Sequence, residues 1–208
     1  MSQININAAF DGGNIVVHDA TDAENIRLAI RRDNASDFMQ WFYFRLIGAK
    51  GQSCRLVIEN AANAAYTGGW ENYKTCASYD RETWFRVDTD YVDGQLVIDH
   101  TPELDSVYYA YFAPFSQERH ADLIAEAGTH PDVKVTTLGE SVQGRAIDKV
   151  QIGEGQKSFW ILARQHPGET MAEWWMEGFL ARLLNDDDPV SRVLREKATF
   201  HILSLIHI

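Results

Sequence analysis

Hydrophobic and polar positions alternate through the first half of the chain. Asn25-Ile26-Arg27-Leu28-Ala29-Ile30-Arg31 places Ile26, Leu28 and Ile30 on one face and mostly charged or amide side chains on the other, the period-two signature of a half-buried strand. Segments 14–18, 41–47, 55–59, 83–87, 95–99 and 107–112 are short and mostly rich in β-branched or aromatic residues, so they predict further strands. Turn formers separate them: Asp11-Gly12-Gly13, residues 48–51, Gly68-Gly69 and Asp93-Gly94. Many short strands at this spacing predict an antiparallel β-sandwich over residues 1–115.

The pattern changes at Pro114. Ser116 is a good N-cap for a helix that runs to Gly128, a residue suited to the position just past a helix end. Segments 133–138, 147–152 and 158–164 read as strands, divided by turns at 139–144 and at Gly153-Glu154-Gly155. From Glu169 to Leu184 the residues Met171, Trp174, Trp175, Phe179 and Leu183 spread over a wide apolar arc, which predicts a largely buried helix. Asp186-Asp187-Asp188-Pro189 ends it, and Pro189 fits the first turn of a short helix closing near Lys197. The acidic run itself reads as a solvated helix terminus. From Ala198 the chain is too apolar for a sheet edge and predicts a central parallel strand. Strand–helix–strand order makes residues 116–208 an α/β domain.

Composition narrows the function classes. Of 208 residues, 45% are hydrophobic and 12% aromatic, ample for a sizeable core. The formal net charge of −11 repels phosphate backbones and anionic lipid, so neither nucleic acid nor a membrane is expected as a partner. No apolar run reaches the roughly 18 residues a spanning helix needs. Cys54 and Cys76 are the two cysteines. They read as buried free thiols in a reducing cytoplasm rather than a secreted disulfide framework.

The candidate chemistry sits at the junction of a predicted buried strand and the helix that follows it. In open α/β sheets, sites gather beyond the carboxyl ends of strands, and Arg164-Gln165-His166-Pro167-Gly168-Glu169 lies at such an end. His166 offers an imidazole and Glu169 a carboxylate, both good zinc ligands. Pro167 and Gly168 turn the chain between them. The competing reading is a helix-capping carboxylate beside a hydrogen-bonded histidine. A second H-x-x-E match, His100-Thr101-Pro102-Glu103, follows a strand of the β half and reads as solvated turn residues. Gly139-Glu140-Ser141-Val142-Gln143-Gly144 has its second glycine one residue too far for a nucleophile elbow and reads as a hairpin turn. Gly153-Glu154-Gly155 lacks the third glycine and following helix of a dinucleotide loop. In Trp41-Phe42-Tyr43-Phe44 and residues 108–112, half of each aromatic run is expected in the core. The outward half is a candidate binding platform.

The run Gln165-His166-Pro167-Gly168-Glu169-Thr170-Met171-Ala172-Glu173-Trp174, preceded by Leu138-Gly139-Glu140-Ser141 and Gly144-Arg145, resembles the cytosolic carboxypeptidases, a branch of the zinc metallocarboxypeptidases of the carboxypeptidase A type. In the β half, Gln40-Trp41-Phe42-Tyr43-Phe44, Ser78-Tyr79-Asp80-Arg81, Tyr109-Ala110-Tyr111-Phe112-Ala113-Pro114 and Glu118-Arg119-His120 after it are similar to the family's amino-terminal region. The resemblance runs from about Phe10 to Ile202. It implies a β-sandwich followed by the first part of an α/β zinc carboxypeptidase domain, and removal of C-terminal residues from peptides or proteins. By the same resemblance His166 and Glu169 are two of three protein ligands of Zn2+.

Two departures qualify this. Digestive relatives carry Arg immediately before the ligand Glu, where this chain has Gly168. The substrate-binding Arg residues, the third ligand and the general-base Glu of the family are expected downstream of residue 208, and Leu203–Ile208 does not resemble the family continuation. That makes a truncated, inactive chain with a foreign end the expectation. The alternatives are a β-sandwich module binding peptide or glycan, and an inactive relative.

Overall fold

The computed structural model describes residues 4–34 and 36–206. The chain divides into two compact units, Met1–Pro114 and Phe115–Ile208.

Ten strands of the first unit form two five-stranded sheets. One sheet lays β1 (Asn5–Asn7), β4 (Tyr43–Ile47), β10 (Ser106–Ala110), β6 (Cys76–Ser78) and β7 (Phe85–Arg86) side by side. The other lays out β2 (Val16–Asp19), β3 (Ile26–Ala29), β5 (Cys54–Ile58), β9 (Gln95–His100) and β8 (Asp88–Val92). Alternation explains the shared core. Ile26, Leu28, Leu56, Ile58, Leu96 and Ile98 of the second sheet meet Phe42, Phe44, Leu46, Val107 and Tyr109 from the first in one cluster. Each such side chain contributes about 1.5–3 kcal/mol on full burial. The sandwich is antiparallel as expected, apart from β3 and β5, which pair in parallel with Ile26 opposite Leu56. Between them the chain passes through the facing sheet as β4, and that crossover returns it in the same direction. Asn60 stitches the seam: its Oδ1 accepts from Ile30 N at 2.9 Å and its Nδ2 donates to Ile30 O at 2.8 Å.

The outward aromatics cover one another. Tyr43 points away from Phe42 and Phe44 yet is only 1% exposed. The rings of Phe10, Trp84 and Tyr108 lie 4.8, 6.0 and 6.1 Å from it, and Arg81 Nε donates to its hydroxyl at 3.0 Å. Cys54 and Cys76 are free and buried, as expected, and burial pushes both thiols up.

The second unit is a four-stranded sheet ordered β11 (Lys134–Glu140), β12 (Ala146–Ile152), β14 (Ala198–Leu203), β13 (Lys157–Leu162), with α1 (Gln117–Gly128), α2 (Met171–Leu183) and α3 (Pro189–Lys197). β14 is central, parallel to β13 and antiparallel to β12. Ser116 caps α1 by accepting from Arg119 N at 3.1 Å. Gly128 is the last helical residue rather than the one beyond it. The 139–144 turn is a hairpin, with Gly144 in the left-handed region at φ 75°. At Gly155 an added Cβ would lie 1.7 Å from the carbonyl carbon of Lys197, so glycine is required where that turn touches the start of β14.

Three expectations need correction. The α2 helix is not largely buried: Glu173, Met176, Leu180 and Leu183 are, but Met171 is 44% and Trp175 55% exposed. Its apolar arc is wider than the core it packs on, and Trp175 stacks instead on Phe179, 5.2 Å away. The acidic run is not merely solvated. Asp188 caps α3 by accepting from Val190 N at 2.8 Å, and Asp186 pairs with Arg195. Nor does the expected foreign end begin where the sheet stops. Leu203 is paired with Leu162 and buried, as are Ser204 and Leu205; His207 and Ile208 lie outside the described residues. Among the described residues, no helix is long and apolar enough to cross a membrane.

Candidate metal centre

The strand β13 ends at Leu162, and the eight residues before α2 carry the candidate ligands. Ala163 N still donates to Leu203 O at 3.0 Å, as a last rung beside β14. The backbone then enters the left-handed region at Arg164, φ 34°, a conformation that costs a non-glycine residue of order 1–3 kcal/mol. From there the chain reverses over His166-Pro167-Gly168-Glu169, closed by Glu169 N donating to His166 O at 3.0 Å. Pro167 suits such a turn because its φ is already set. Gly168 is not demanded by the backbone: its φ is not positive, and a Cβ there would meet nothing within 4 Å.

His166 and Glu169 therefore stand at the two ends of one tight turn, both exposed. Among the described residues neither side chain has a hydrogen-bond or ion-pair partner. The N-cap of α2 is Thr170, whose side chain makes no capping hydrogen bond, and Glu169 precedes it as an exposed carboxylate. An uncommitted imidazole nitrogen and an uncommitted carboxylate on one turn are a donor set that suits zinc. They are two candidate ligands and not a full set: no group of three or more His, Cys, Asp or Glu able to hold a metal occurs among the described residues.

Beneath the turn lies a buried ionic cluster that strand and helix patterning did not bring forward. Glu173, in the first turn of α2, is fully buried. Its Oε1 lies 2.9 Å from His120 Nδ1 on α1, and its Oε2 accepts from Arg164 Nη1. Ser204 Oγ, just past β14, is 3.2 Å from the same His120 nitrogen. Alongside, Arg119 pairs with Glu177 at 3.0 Å and lies over the Trp174 ring, 4.0 Å from its centroid. A charged residue amid Met171-Ala172-Glu173-Trp174 was the available signal: Glu173 falls on the helix face that carries Met176 and Leu180.

The second H-x-x-E match has a different setting. His100 closes β9 with Nδ1 2.8 Å from Tyr109 Oη, and burial lowers its pKa. It is not the solvated residue expected, because β10 of the facing sheet brings Tyr109 against it. Glu103 N donates to Tyr79 Oη at 2.8 Å. The Glu103 side chain is exposed, as expected of a turn residue, and only the histidine is held within the sandwich.

Comparisons with known proteins agree with this division of the chain. Residues 6–112 match the family described as the cytosolic carboxypeptidase N-terminal domain, and residues 120–206 match the zinc carboxypeptidase family. The second match reaches 206, so Leu203–Ile206 belong to it, against the expectation that the likeness ends at Ile202. An uncharacterized protein of Zymomonas mobilis is 52% identical over 96% of this chain and 52% of its own length. Cytosolic carboxypeptidase 2 of Xenopus tropicalis is 26% identical over 99% of this chain and 25% of its own length. Among solved structures, a metallo-carboxypeptidase from Burkholderia cenocepacia superposes with a TM-score of 0.93 at 47% identity, over 98% of this chain and 56% of that one. A metallo-carboxypeptidase from Pseudomonas aeruginosa, in complex with (2-guanidinoethylmercapto)succinic acid, gives 0.92 at 42% identity, over 97% of this chain and 55% of that one. The chain thus spans about half the length of the bacterial relatives it matches. With the amino-terminal domain matched nearly end to end and the zinc carboxypeptidase match following it, the chain belongs to the cytosolic carboxypeptidase family.

Proposed function

We propose that the protein is a zinc-dependent carboxypeptidase that removes C-terminal residues from peptides or proteins in the cytoplasm. His166 and Glu169 would be two of its zinc ligands. The observation that carries this reading is the pair of uncommitted side chains on one turn beyond β13, inside the segment that matches the zinc carboxypeptidase family. Zinc, when bound, lowers the pKa of its water and polarises the scissile carbonyl. This chain's own part is to hold an imidazole and a carboxylate at that edge of the sheet. A third ligand, a proton-accepting base and a cation for the substrate carboxylate lie in our reading beyond residue 208, so the 208-residue chain binds zinc weakly and has no peptidase activity.

Zinc binding by equilibrium dialysis, with His166→Ala and Glu169→Ala beside the wild type, tests the ligand assignment. Each substitution is expected to abolish what binding there is; retention of full affinity in both would overturn it. Chelator-resistant release of C-terminal residues by the extended protein would refute the zinc dependence. His166-dependent release by the 208-residue chain alone would refute the claim that this segment is inactive.

A further inference from the structure

We propose that Arg164 is a positioning residue for the ligand-bearing turn, an inference that rests on the zinc reading of His166 and Glu169 but is tested separately from it. Gln165, His166, Pro167 and Glu169 are all exposed, so no apolar packing of the turn's own side chains holds it in place. Backbone bonds close and anchor its ends, Glu169 N to His166 O at 3.0 Å and Ala172 N to Glu169 O at 3.2 Å. Among the described residues the one side chain bonded to its middle is Arg164, whose Nε donates to Pro167 O at 2.9 Å. The same guanidinium reaches down. Nη1 donates to Phe115 O at 2.9 Å and to the carboxylate of Glu173. The fork therefore ties the exposed turn to a carboxylate with no solvent exposure, itself fixed by His120 on a second helix.

Only arginine can do this from position 164. Its planar fork presents five donors in fixed directions, whereas a lysine ammonium is a point donor on a flexible stem. An ammonium placed there and drawn to Glu173 would leave Pro167 O unserved. The left-handed backbone at Arg164 fits the same account: it swings the side chain back under the turn it precedes. Loss of a group bonded directly to a metal-ligating side chain typically costs roughly 10- to 100-fold in metal affinity; Arg164 acts instead through the backbone that carries both ligands.

The experiment compares wild type, Arg164→Lys, His166→Ala and, as a stability control, Leu180→Ala in the core of α2. Two readouts are taken on the 208-residue chain: 15N order parameters of the Gly168 and Glu169 amides without metal, and zinc affinity by competition with a chelating dye. Arg164→Lys is expected to drop those order parameters from about 0.85 towards 0.6 or below and to weaken zinc binding at least tenfold. Leu180→Ala should lower thermal stability while leaving both readouts at their wild-type values. Unchanged order parameters in Arg164→Lys, or an equal change in Leu180→Ala, would overturn the positioning role. Wild-type zinc affinity in His166→Ala would instead overturn the ligand assignment, with the order parameters still deciding the case of Arg164.

Discussion

Replacing Glu173 by alanine should cost the second unit a large part of its stability, although the residue is a charge in a helix that otherwise buries apolar side chains. The carboxylate has 0% exposure and is bracketed by two cationic or hydrogen-bonding partners that are themselves covered: the side chain of Arg164 is 15% exposed and that of His120 7%. Removing it leaves both without the group they point at. Breaking a buried pair from one side costs about 3–5 kcal/mol, because the remaining charge stays desolvated. Set against the roughly 5–15 kcal/mol that holds a typical domain, that is enough to populate open states. Glu173→Gln keeps one acceptor oxygen for Arg164 but loses the charge and turns the oxygen facing His120 into an amide donor, so it should cost about 1.5–3 kcal/mol. Because the chain has two units, a single melting curve mixes them. Hydrogen exchange followed by mass spectrometry separates them by peptide. In Glu173→Ala, the most protected amides of α2 and β14 should exchange on the order of a hundred- to several-thousand-fold faster. Peptides from β5 and β9 should be unchanged, and Glu173→Gln should fall between. An acceleration below tenfold in Glu173→Ala, or one spread equally over the sandwich, would refute the view that the cluster sustains this unit.

Four further outcomes follow from particular residues. Gly155→Ala should unfold the turn between β12 and β13, since its Cβ would collide with backbone at Lys197, whereas Gly168→Ala meets open space and should be neutral or stabilising by roughly 0.4–1 kcal/mol; paired thermal melts check both. Burial holds the pKa of His100 below its ordinary value. The unfolded chain therefore takes up that proton first, and this contribution to stability is full above about pH 6.5 and lost as pH falls through the lowered folded value; denaturation at pH 7.5 and 5.5 should show a smaller difference in His100→Gln. Asp80 accepts from Thr83 N and Glu82 N, which bring its carboxyl down to about 2. Its contribution is present above the unfolded carboxyl range and disappears as pH falls towards 2, so Asp80→Asn should flatten the acid limb of the stability curve. In the extended protein, zinc removal by a chelator should abolish peptidase activity, and added zinc should restore it.

Sheet and helix were legible in the sequence where one face alone is buried. Ile26 and Leu28 alternate with charge, and β3 lies where that alternation predicts; Pro189 and Asp188 stand where α3 begins. What was not legible lacks such a pattern. In β8 only Thr89 of five residues is buried, so an edge strand with polar neighbours leaves no period to read. The parallel pairing of β3 with β5 depends on β4 crossing to the opposite sheet, a relation between segments that no local period encodes. The candidate site divides in the same way. The turn announced itself through Pro167 and Gly168 between a histidine and a glutamate, residue types whose chemistry is recognisable one at a time. The cluster under it joins Arg164, Glu173, His120 and Ser204 from three separate stretches of chain. A buried Glu there is indistinguishable in sequence from an exposed one on the same helix. The one hint was positional: helical spacing puts Glu173 on the side of Met176 and Leu180, where a carboxylate without partners would carry a desolvation cost of several kcal/mol. Reading that conflict as a demand for a cation, rather than as noise in the pattern, leads from Glu173 to Arg164, and from Arg164 to the turn that carries His166 and Glu169.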